Sequence, residues 1–470
     1  MIALLSFLLL QPSSDLELIR EILRTTAPLE APRGARLPLY LWPARTLGTT
    51  DESELRTLLR ELEARGMAAI GTWTGDGTDA LRLGKLQKEL GLPVSVDATS
   101  LTYGFYDGGR ETAHLDSEGG AFFDESFPTT RKMGCPFAID HRIPVISGRV
   151  RRAVEKYRAA SIPIHFLFAD WEVDGPLDSN GAWESSKRCA RCRREIEDID
   201  DFESFQAAIR RKRAAIQKEM LTEPVLEAFP DALVGNYGVY PHDGLRYWLD
   251  YFEEHVEGAP VVRDQGALYR RWYPEFEETG FTFAMPVVYP WYRGYGWYDF
   301  ESTDYRWLYN MLLAGTNAGK ATPAAIPIIT FVHWQPVEPP KRPDPSVRAL
   351  SREMYQELLW HLLLRGHDAL FLWSPKEEAL EESRALHEVY RESHRYRDFL
   401  AEGIPVAFDV PKAPGPIVSA LRRGQTLLVR RTELDASAEP YTLVVDGHRI
   451  PVPPEPGRCQ FLEIPASTPR

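Results

Sequence analysis

The chain is short of several features that would place it in a specialised class of protein. Cysteine accounts for only 4 of its 470 residues, which excludes a disulfide-rich scaffold. Outside the N-terminus no apolar run is long enough to cross a bilayer, and the chain has no internal repeat or low-complexity segment. Basic residues are outnumbered, with 55 Lys and Arg against 68 Asp and Glu and a net charge of −13. We therefore expect no membrane partner and no nucleic acid as the main partner; the charge does not favour a polyanionic polysaccharide either, unless a local basic groove overrides it.

The N-terminus begins MIALLSFLLLQPSS, an apolar stretch too short for a membrane helix. It has no Lys or Arg ahead of the apolar core and no clear cleavage site, so a weak secretory signal and a buried N-terminal segment both remain open. We predict a secreted or periplasmic protein, with a cytoplasmic location as the alternative. Residues 1–30 are taken as an N-terminal segment, and the sequence says nothing about oligomeric state.

Apolar runs alternate with amphipathic helical stretches over most of the chain. The runs are nearly continuous, which indicates strands buried on both faces, as in a parallel sheet. This alternation predicts an α/β fold, a (β/α)8 TIM barrel, over residues 31–402. The eight runs are 37–42, 67–73, 93–99, 162–172, 233–240, 281–289, 326–334 and 368–373.

Three other segments break this alternation. After residue 403 short strands follow one another between turns, which predicts a small C-terminal β-sandwich over 403–470; the expected strands are IPVAFDV, PIVSALRRG, QTLLVRRT, YTLVVDG and CQFLEI. Residues 100–146 are rich in Gly, Asp and aromatics, and we expect them to form a loop or subdomain over the active face. The aromatic stretch 290–300 follows the sixth strand and has the composition of a loop that contacts substrate, although it could simply pack on itself.

Residues 166–175 read FLFADWEVDG, an apolar strand that delivers two carboxylates, Asp170 and Glu172. Because side chains on a strand alternate faces, the two acids point the same way, roughly 7 Å apart along the backbone. Each makes ionisation of the other more costly, so one of them can stay protonated near neutral pH and act as a general acid. The alternative is a solvated strand end with ion-pair partners.

In a TIM barrel the active site lies at the carboxyl ends of the strands. Aromatic rings stack on the apolar faces of sugar rings, and the chain has 12 Trp and 20 Tyr, so aromatics around a pair of acids indicate a carbohydrate site. Packing in the core is the competing explanation for these aromatics. The predicted substrate-binding residues are Trp42, Asp97, Asn236, Tyr237, Tyr289, Trp334 and Trp373 at strand ends, and Arg293 in the loop after the sixth strand.

Cys189 and Cys192 form a CxxC pair, with Cys135 upstream and His114 or His141 near it in sequence. A structural zinc is one interpretation. Only half of the usual two-pair pattern is present, however, which favours a disulfide or free thiols. We therefore predict no metal and no cofactor, with the state of these cysteines left open.

Four segments resemble, in order and approximate spacing, the hyaluronidase family of glycoside hydrolases. ADWE at the end of the fourth strand is similar to the catalytic strand of that family. GNYGVYP (235–241) and MPVVYP (285–290) resemble its fifth and sixth strands, where Tyr237 and Tyr289 would line the site. ALFLW (369–373) resembles its eighth strand, which ends in a site tryptophan, here Trp373.

The resemblance implies hydrolysis of glycans that contain 2-acetamido sugars, with the acetamido oxygen of the substrate as nucleophile. Glu172 would protonate the glycosidic oxygen and then activate water, and Asp170 would orient the acetamido N–H and stabilise the oxazolinium-like intermediate. Tyr237 and Tyr289 would hydrogen-bond the acetamido group or the leaving oxygen, and Trp373 would wall the pocket around its methyl group.

The chain departs from that family in lacking its disulfide framework and the EGF-like module after the barrel. Three other functions therefore stay open: a conventional retaining glycosidase with a separate carboxylate nucleophile, a non-catalytic carbohydrate-binding barrel, and a lyase-like or transglycosylating enzyme. No Glu ends the later strands, which argues against the first of these.

Overall fold

A computed structural model gives the architecture of the chain. The N-terminal segment 1–14, on which the secretion signal was predicted, lies outside the described residues, and the location of the protein stays a prediction. In the part of the chain that the structure describes, no helix is both long and apolar enough to cross a membrane. The described residues are 15–45, 47, 51–75, 77–124, 132–247, 262–264, 267–297, 300–337, 341–434 and 440–465.

The strands fall into an α/β region and an all-β region near the C-terminus. In chain order they are β1 Leu39–Leu41, β2 Met67–Ala68, β3 Gly71–Thr72, β4 Ser95–Asp97, β5 His114–Leu115, β6 Ala121–Phe122, β7 Phe166–Ala169, β8 Leu233–Asn236, β9 Leu245–Tyr247, β10 Val262–Asp264, β11 Ala267–Arg271, β12 Val287–Val288, β13 Ile329–Val332, β14 Ala369–Leu372, β15 Ile404–Ala407, β16 Ile417–Arg423, β17 Thr426–Thr432, β18 Tyr441–Val445, β19 His448–Val452 and β20 Cys459–Glu463.

Helices separate the strands of the α/β region, as the amphipathic stretches predict. They are α1 Asp15–Thr25, α2 Glu52–Ala64, α3 Thr78–Glu89, α4 Ile143–Ala159, α5 Asn180–Arg188, α6 Ala190–Glu195, α7 Phe202–Gln217, α8 Glu223–Leu226, α9 Phe276–Thr279, α10 Thr303–Ala321, α11 Arg352–Leu363, α12 Lys376–Ser393 and α13 Arg397–Glu402. One π-helical turn, Lys218–Thr222, joins α7 to α8.

Two parallel sheets form the centre of the α/β region. One has the order β12-β13-β14-β1-β2 and the other the order β3-β4-β7-β8. Each of the eight apolar runs contains at least one of these strands, and β2 and β3 lie in the same run. The backbone N–H of Thr282 donates to the carbonyl of Val234 at 2.9 Å, and Ala284 pairs with Ile328 in parallel. The α/β class and the parallel pairing are therefore confirmed.

The strands of the two parallel sheets are mainly apolar because both of their faces are buried. On one face, aromatic rings from different strands pack together, such as Phe331 and Phe371 with ring centroids 5.4 Å apart and Phe168 and Phe371 at 4.7 Å. On the other face, leucines and valines of the strands pack against the helices. An alternating pattern would leave one of these faces polar, which explains why it does not occur here.

The C-terminal strands form two antiparallel sheets that share one apolar core. β15, β16, β17 and β20 make the larger sheet, and β18 and β19 make the smaller one. Strand β19 was not among the strands expected from the sequence. Two buried side chains of the α/β region bind this unit: His361 hydrogen-bonds Ser419 at 2.8 Å, and Arg365 donates to the carbonyls of Phe408 and Asp409, each at 2.9 Å. The domain limits 31–402 and 403–470 remain predictions.

Candidate active site

The two predicted acids follow β7 at its carboxyl end. β7 lies between β4 and β8, and the parallel register pairs Phe168 with Asp97 and Ala169 with Asn236. Because of this register, Asp97 and Asn236 lie beside the last two residues of β7, which immediately precede Asp170. This shared edge is where chemistry is expected in a parallel α/β fold.

The peptide between the two acids is held by side chains from other elements. Asn236 accepts a hydrogen bond from the N–H of Trp171 at 2.9 Å and donates to its carbonyl at 3.1 Å. Arg213 donates to the same carbonyl at 2.6 Å, and the Tyr103 hydroxyl donates to the carbonyl of Asp170 at 2.8 Å. These bonds fix the backbone from which both carboxylates project.

The ring of Trp171 is buried and anchors this segment. The Arg213 guanidinium lies over it at 4.3 Å, and the Phe105 ring packs 5.5 Å away. Gly175 passes so close to the ring that a Cβ at that position would lie 2.2 Å from Cζ2 of Trp171. A larger residue at 175 would therefore displace the tryptophan.

Asp170 titrates under the influence of its neighbours. Burial is the largest cause that raises its pKa well above the usual 3.8, followed by the negative charge of Glu172, a hydrogen bond with Glu172 and the charge of Asp97. Within the described residues, the buried Oδ1 of Asp170 has no hydrogen-bond partner. The two acids thus share a proton to a higher pH than a lone carboxyl would hold one, and one acceptor atom remains unsatisfied.

The raised pKa of Asp170 predicts a pH-dependent effect of Asp170→Asn on stability. The pKa of Asp170 in the folded state exceeds its unfolded value of about 3.8. The protonated carboxyl therefore contributes its full stability below about pH 3.8, and this contribution is lost as the pH rises through the folded-state pKa. The variant should therefore unfold a few degrees higher than wild type near neutral pH. The difference in melting temperature between the variant and wild type should become smaller as the pH is lowered.

Thermal unfolding followed across pH would check this, with Asp231→Asn as the matched change at an exposed aspartate. A melting temperature of Asp170→Asn that stays below that of wild type at every pH would contradict it.

An aromatic wall stands beside the acids. The hydroxyls of Tyr237 and Tyr289 hydrogen-bond each other, and the Tyr289 ring stacks on Trp373 with centroids 6.0 Å apart. Burial and then the nearby Tyr289 and Glu172 raise the pKa of Tyr237 well above its usual value, so its hydroxyl stays protonated. The structure thus brings Tyr237, Tyr289 and Trp373 together, and Tyr237 lies close enough to the acids to interact with them.

Asp97 and Trp42 form a second buried pair at the same edge. The Trp42 Nε1–H donates to Asp97 Oδ2 at 3.1 Å, and the N–H of Thr99 donates to Oδ1 at 2.9 Å. Arg45 lies over the Trp42 ring at 5.1 Å. With both oxygens engaged, Asp97 acts on the site through its charge, which raises the pKa of Asp170.

Two of the predicted substrate-binding residues have other partners in the structure. The Asn236 amide is buried, with its oxygen on Trp171 and its nitrogen on Trp171 and Gln217. The Trp334 ring stacks on Tyr355 of α11 at 5.8 Å, and its Nε1–H donates to a backbone carbonyl. Asn236 thus positions the backbone of Trp171, and Trp334 packs in the helix layer; substrate binding by either residue stays a prediction. The side chain of Arg293 lies outside the described residues.

His333 illustrates how the helix layer supports the wall. Its Nδ1 lies 2.8 Å from Glu382, which also accepts from the Tyr355 hydroxyl at 2.9 Å, and its ring meets Trp373 edge-on at 5.0 Å. The histidine is therefore held between a buried carboxylate and the site tryptophan, which agrees with the structural role that is usual for such a residue.

Sequence reasoning missed three residues that support the backbone between the two acids. They are Tyr103, Arg213 and, through its hydrogen bond with Asn236, Gln217. Tyr103 belongs to the long segment 100–146, and the other two lie on α7, where they read as an ordinary helix face. No local pattern distinguishes them, because the hydrogen-bond partners of Arg213 and Tyr103 lie 42 and 67 residues away in the sequence, respectively.

No protein-family model matches the chain, and no curated protein matches it. Among solved structures, it is similar to a GH36 alpha-galactosidase from Geobacillus stearothermophilus in complex with stachyose, at 11% identity and a TM-score of 0.46, over 95% of this chain and 58% of that one. It is also similar to an alpha-L-fucosidase isoenzyme 2 from Paenibacillus thiaminolyticus, at 11% identity and a TM-score of 0.45, over 79% of this chain and 51% of that one. A third similar structure is a putative alpha-N-acetylgalactosaminidase from Bacillus halodurans, at 9% identity and a TM-score of 0.40, over 93% of this chain and 96% of that one. The chain thus spans little more than half of the first two proteins, and similarity at this level assigns no function.

Proposed function

We propose that the chain is a glycoside hydrolase that acts on glycans containing 2-acetamido sugars by substrate-assisted, retaining hydrolysis. The observation that carries the proposal is the pair of neighbouring acids after β7, in which Asp170 is half-buried, has a raised pKa and keeps its buried Oδ1 without a partner among the described residues. An unsatisfied buried acceptor is costly unless a ligand completes it, and an acetamido N–H is a donor of the right kind.

In this mechanism the proton that the two acids share lies on Glu172 when substrate binds, and Asp170 is ionised. Glu172 donates this proton to the glycosidic oxygen as the bond to the anomeric carbon breaks. The acetamido oxygen of the substrate forms the new bond to that carbon, and Asp170 accepts the acetamido N–H and offsets the positive charge of the oxazolinium-like ring. Glu172 then takes a proton from water, which attacks the same carbon and reopens the ring. The configuration is retained because the carbon is inverted twice.

The aromatic wall supports an acetamido substrate. Tyr237 stays protonated and so is able to donate a hydrogen bond to the acetamido oxygen or the leaving oxygen. The stacked rings of Tyr289 and Trp373 offer an apolar surface for the acetamido methyl group or a sugar face. Trp42 and Asp97 lie at the same edge of the sheet.

We extend the proposal to the fold, as a closed (β/α)8 barrel over residues 31–402 followed by a C-terminal β-sandwich over 403–470.

A conventional retaining glycosidase needs a second carboxylate as nucleophile, about 5–5.5 Å from the acid. Asp97 is the further acid at this edge, but both of its oxygens already accept hydrogen bonds from Trp42 and Thr99. This engagement favours the substrate-assisted mechanism over the conventional one.

Hydrolysis of a matched panel of aryl glycosides and glycans, with and without the 2-acetamido group, tests the proposal. We expect turnover of the acetamido members only, and inhibition by a thiazoline that mimics the cyclised intermediate. Turnover of plain sugars without thiazoline inhibition would refute substrate assistance and indicate a separate nucleophile. Glycan binding without any turnover would identify a carbohydrate-binding barrel instead.

A further inference from the structure

A second group of reactive side chains lies apart from the acids, within the segments that follow β4 and β7. His114 lies on β5, Cys135 follows β6, Cys189 is the N-cap of α6, and Cys192 lies in its first turn. All four are buried, and one ligand atom from each lies within 4.8 Å of the other three. His141, the other histidine that the sequence offered, is exposed and accepts from Arg142, so the tertiary structure selects His114.

The separations within this cluster suit a tetrahedral ion. The sulfurs of Cys135 and Cys192 are 3.6 Å apart, and the Cys192 sulfur lies 3.8 Å from Nδ1 of His114. Zn–S and Zn–N bonds of about 2.3 and 2.0 Å place neighbouring ligand atoms of a tetrahedron about 3.5–3.8 Å apart. A disulfide would need sulfurs about 2 Å apart, and three mutually close thiols cannot all be paired.

We propose that His114, Cys135, Cys189 and Cys192 bind one zinc ion. Three thiolates and an imidazole form a Cys₃His donor set, which is a standard structural zinc site. Since four protein ligands fill the tetrahedron, no position remains for substrate or water. A two-iron cluster would divide its ligands between two metal atoms and so spread them further apart, which makes a single ion the better fit. The proposal replaces the sequence-based prediction of no metal.

The surroundings of the cluster supply an outer shell. The N–H groups of Cys192 and Phe137 are in hydrogen-bonding positions toward the sulfurs of Cys189 and Cys135, respectively. The Phe122 ring stacks on His114 with centroids 5.1 Å apart, which restricts the orientation of the imidazole. Apolar side chains of α5, of α7 and of the link between α6 and α7 belong to the same buried cluster as the three cysteines, so the site is protected from water.

The ion would join two segments that are separate in sequence. His114 and Cys135 belong to the long segment after β4, and the CxxC pair belongs to the segment after β7. The first segment also supplies Tyr103, whose hydroxyl donates to the carbonyl of Asp170, and the two segments are further joined by Asp174, which accepts from the N–H of Phe105 at 2.8 Å. Zinc would therefore act as a structural clamp between the two segments that carry Tyr103 and the acids, and this role does not depend on the proposed function.

Metal analysis of the full-length chain, purified without a histidine tag, tests the proposal directly. We expect one zinc per chain in wild type and almost none in Cys192→Ser and His114→Ala. Cys459→Ser and His141→Ala are the matched controls, because these residues lie outside the cluster, and both should keep the full zinc content. Limited proteolysis should cut the segment after β4 faster in the zinc-depleted variants than in the controls.

Wild type alone suffices if the cluster variants do not fold. Exchange of the bound ion for Co²⁺ should produce the intense visible bands of tetrahedral thiolate coordination, and a mercurial thiol reagent should release zinc as it modifies the cysteines. Wild type that contains no metal, contains iron instead, or carries a disulfide between two of Cys135, Cys189 and Cys192 would overturn the proposal.

Discussion

Glu172→Gln is expected to reduce hydrolysis by about 10²–10⁴-fold, the usual contribution of a general acid–base group. The substitution keeps the size of the side chain and removes only its proton transfer and its charge. The negative charge and hydrogen bond of Glu172 contribute, after burial, to the raised pKa of Asp170, so the pKa of Asp170 should also fall in the variant. The fold should be unaffected.

The leaving group distinguishes a lost acid from a distorted site. An aryl glycoside with a strongly acidic leaving group needs little protonation, so the loss should be much smaller for it than for a natural glycan. Glu184→Gln, at an exposed residue paired with Lys187, is the matched control and should retain full activity. Equal losses for both kinds of substrate would contradict the assignment of Glu172 as the acid.

Gly175→Ala is expected to lower the free energy of unfolding by about 1–3 kcal/mol, as overpacking of a buried site usually does. A Cβ at this position would lie 2.2 Å from Cζ2 and 2.4 Å from Cη2 of Trp171, and the ring cannot move away freely because Arg213 and Phe105 pack on it. Displacement of Trp171 would also shift the peptide between Asp170 and Glu172. On the proposed function, a misplacement of about 1 Å would cost up to about 10²-fold in kcat.

Chemical denaturation and kinetics on the same preparation measure both effects. Gly415→Ala is the control, because a Cβ there meets only the Ala413 carbonyl oxygen, at 3.8 Å, and the glycine does not have a positive φ. If Gly175→Ala unfolds at the same denaturant concentration as Gly415→Ala, the close packing of Trp171 against the backbone is contradicted.

The alternation of apolar runs and helices predicted the α/β class because it is a local property of the chain. Each of the eight runs contains a strand, although the strands are shorter than the runs; β7, for example, ends at Ala169 and leaves both acids beyond it. The C-terminal strands were predicted on the same basis, apart from β19. In contrast, segment 100–146 has no periodicity to read, and it contributes Tyr103, His114 and Cys135.

The candidate site was predicted only as far as strand ends could be located. Asp170, Tyr237, Tyr289 and Trp373 lie where the carboxyl ends of parallel strands place them. Trp334 also follows a strand, yet its ring packs on Tyr355, because the composition of a strand end does not determine which way the last side chain turns.

By itself, the sequence determined the order of strands and helices, the presence of two acids one residue apart and the CxxC pair, all of which depend on neighbours within a few positions. Tertiary structure alone decided that Oδ1 of Asp170 is buried and the pKa of Asp170 raised, and that His114 rather than His141 joins the cysteines. The physical reason is that burial and charge proximity arise between distant segments: Trp171 meets Asn236 across 65 residues, and His114 meets Cys192 across 78. Contacts of that kind leave no periodic trace in the chain.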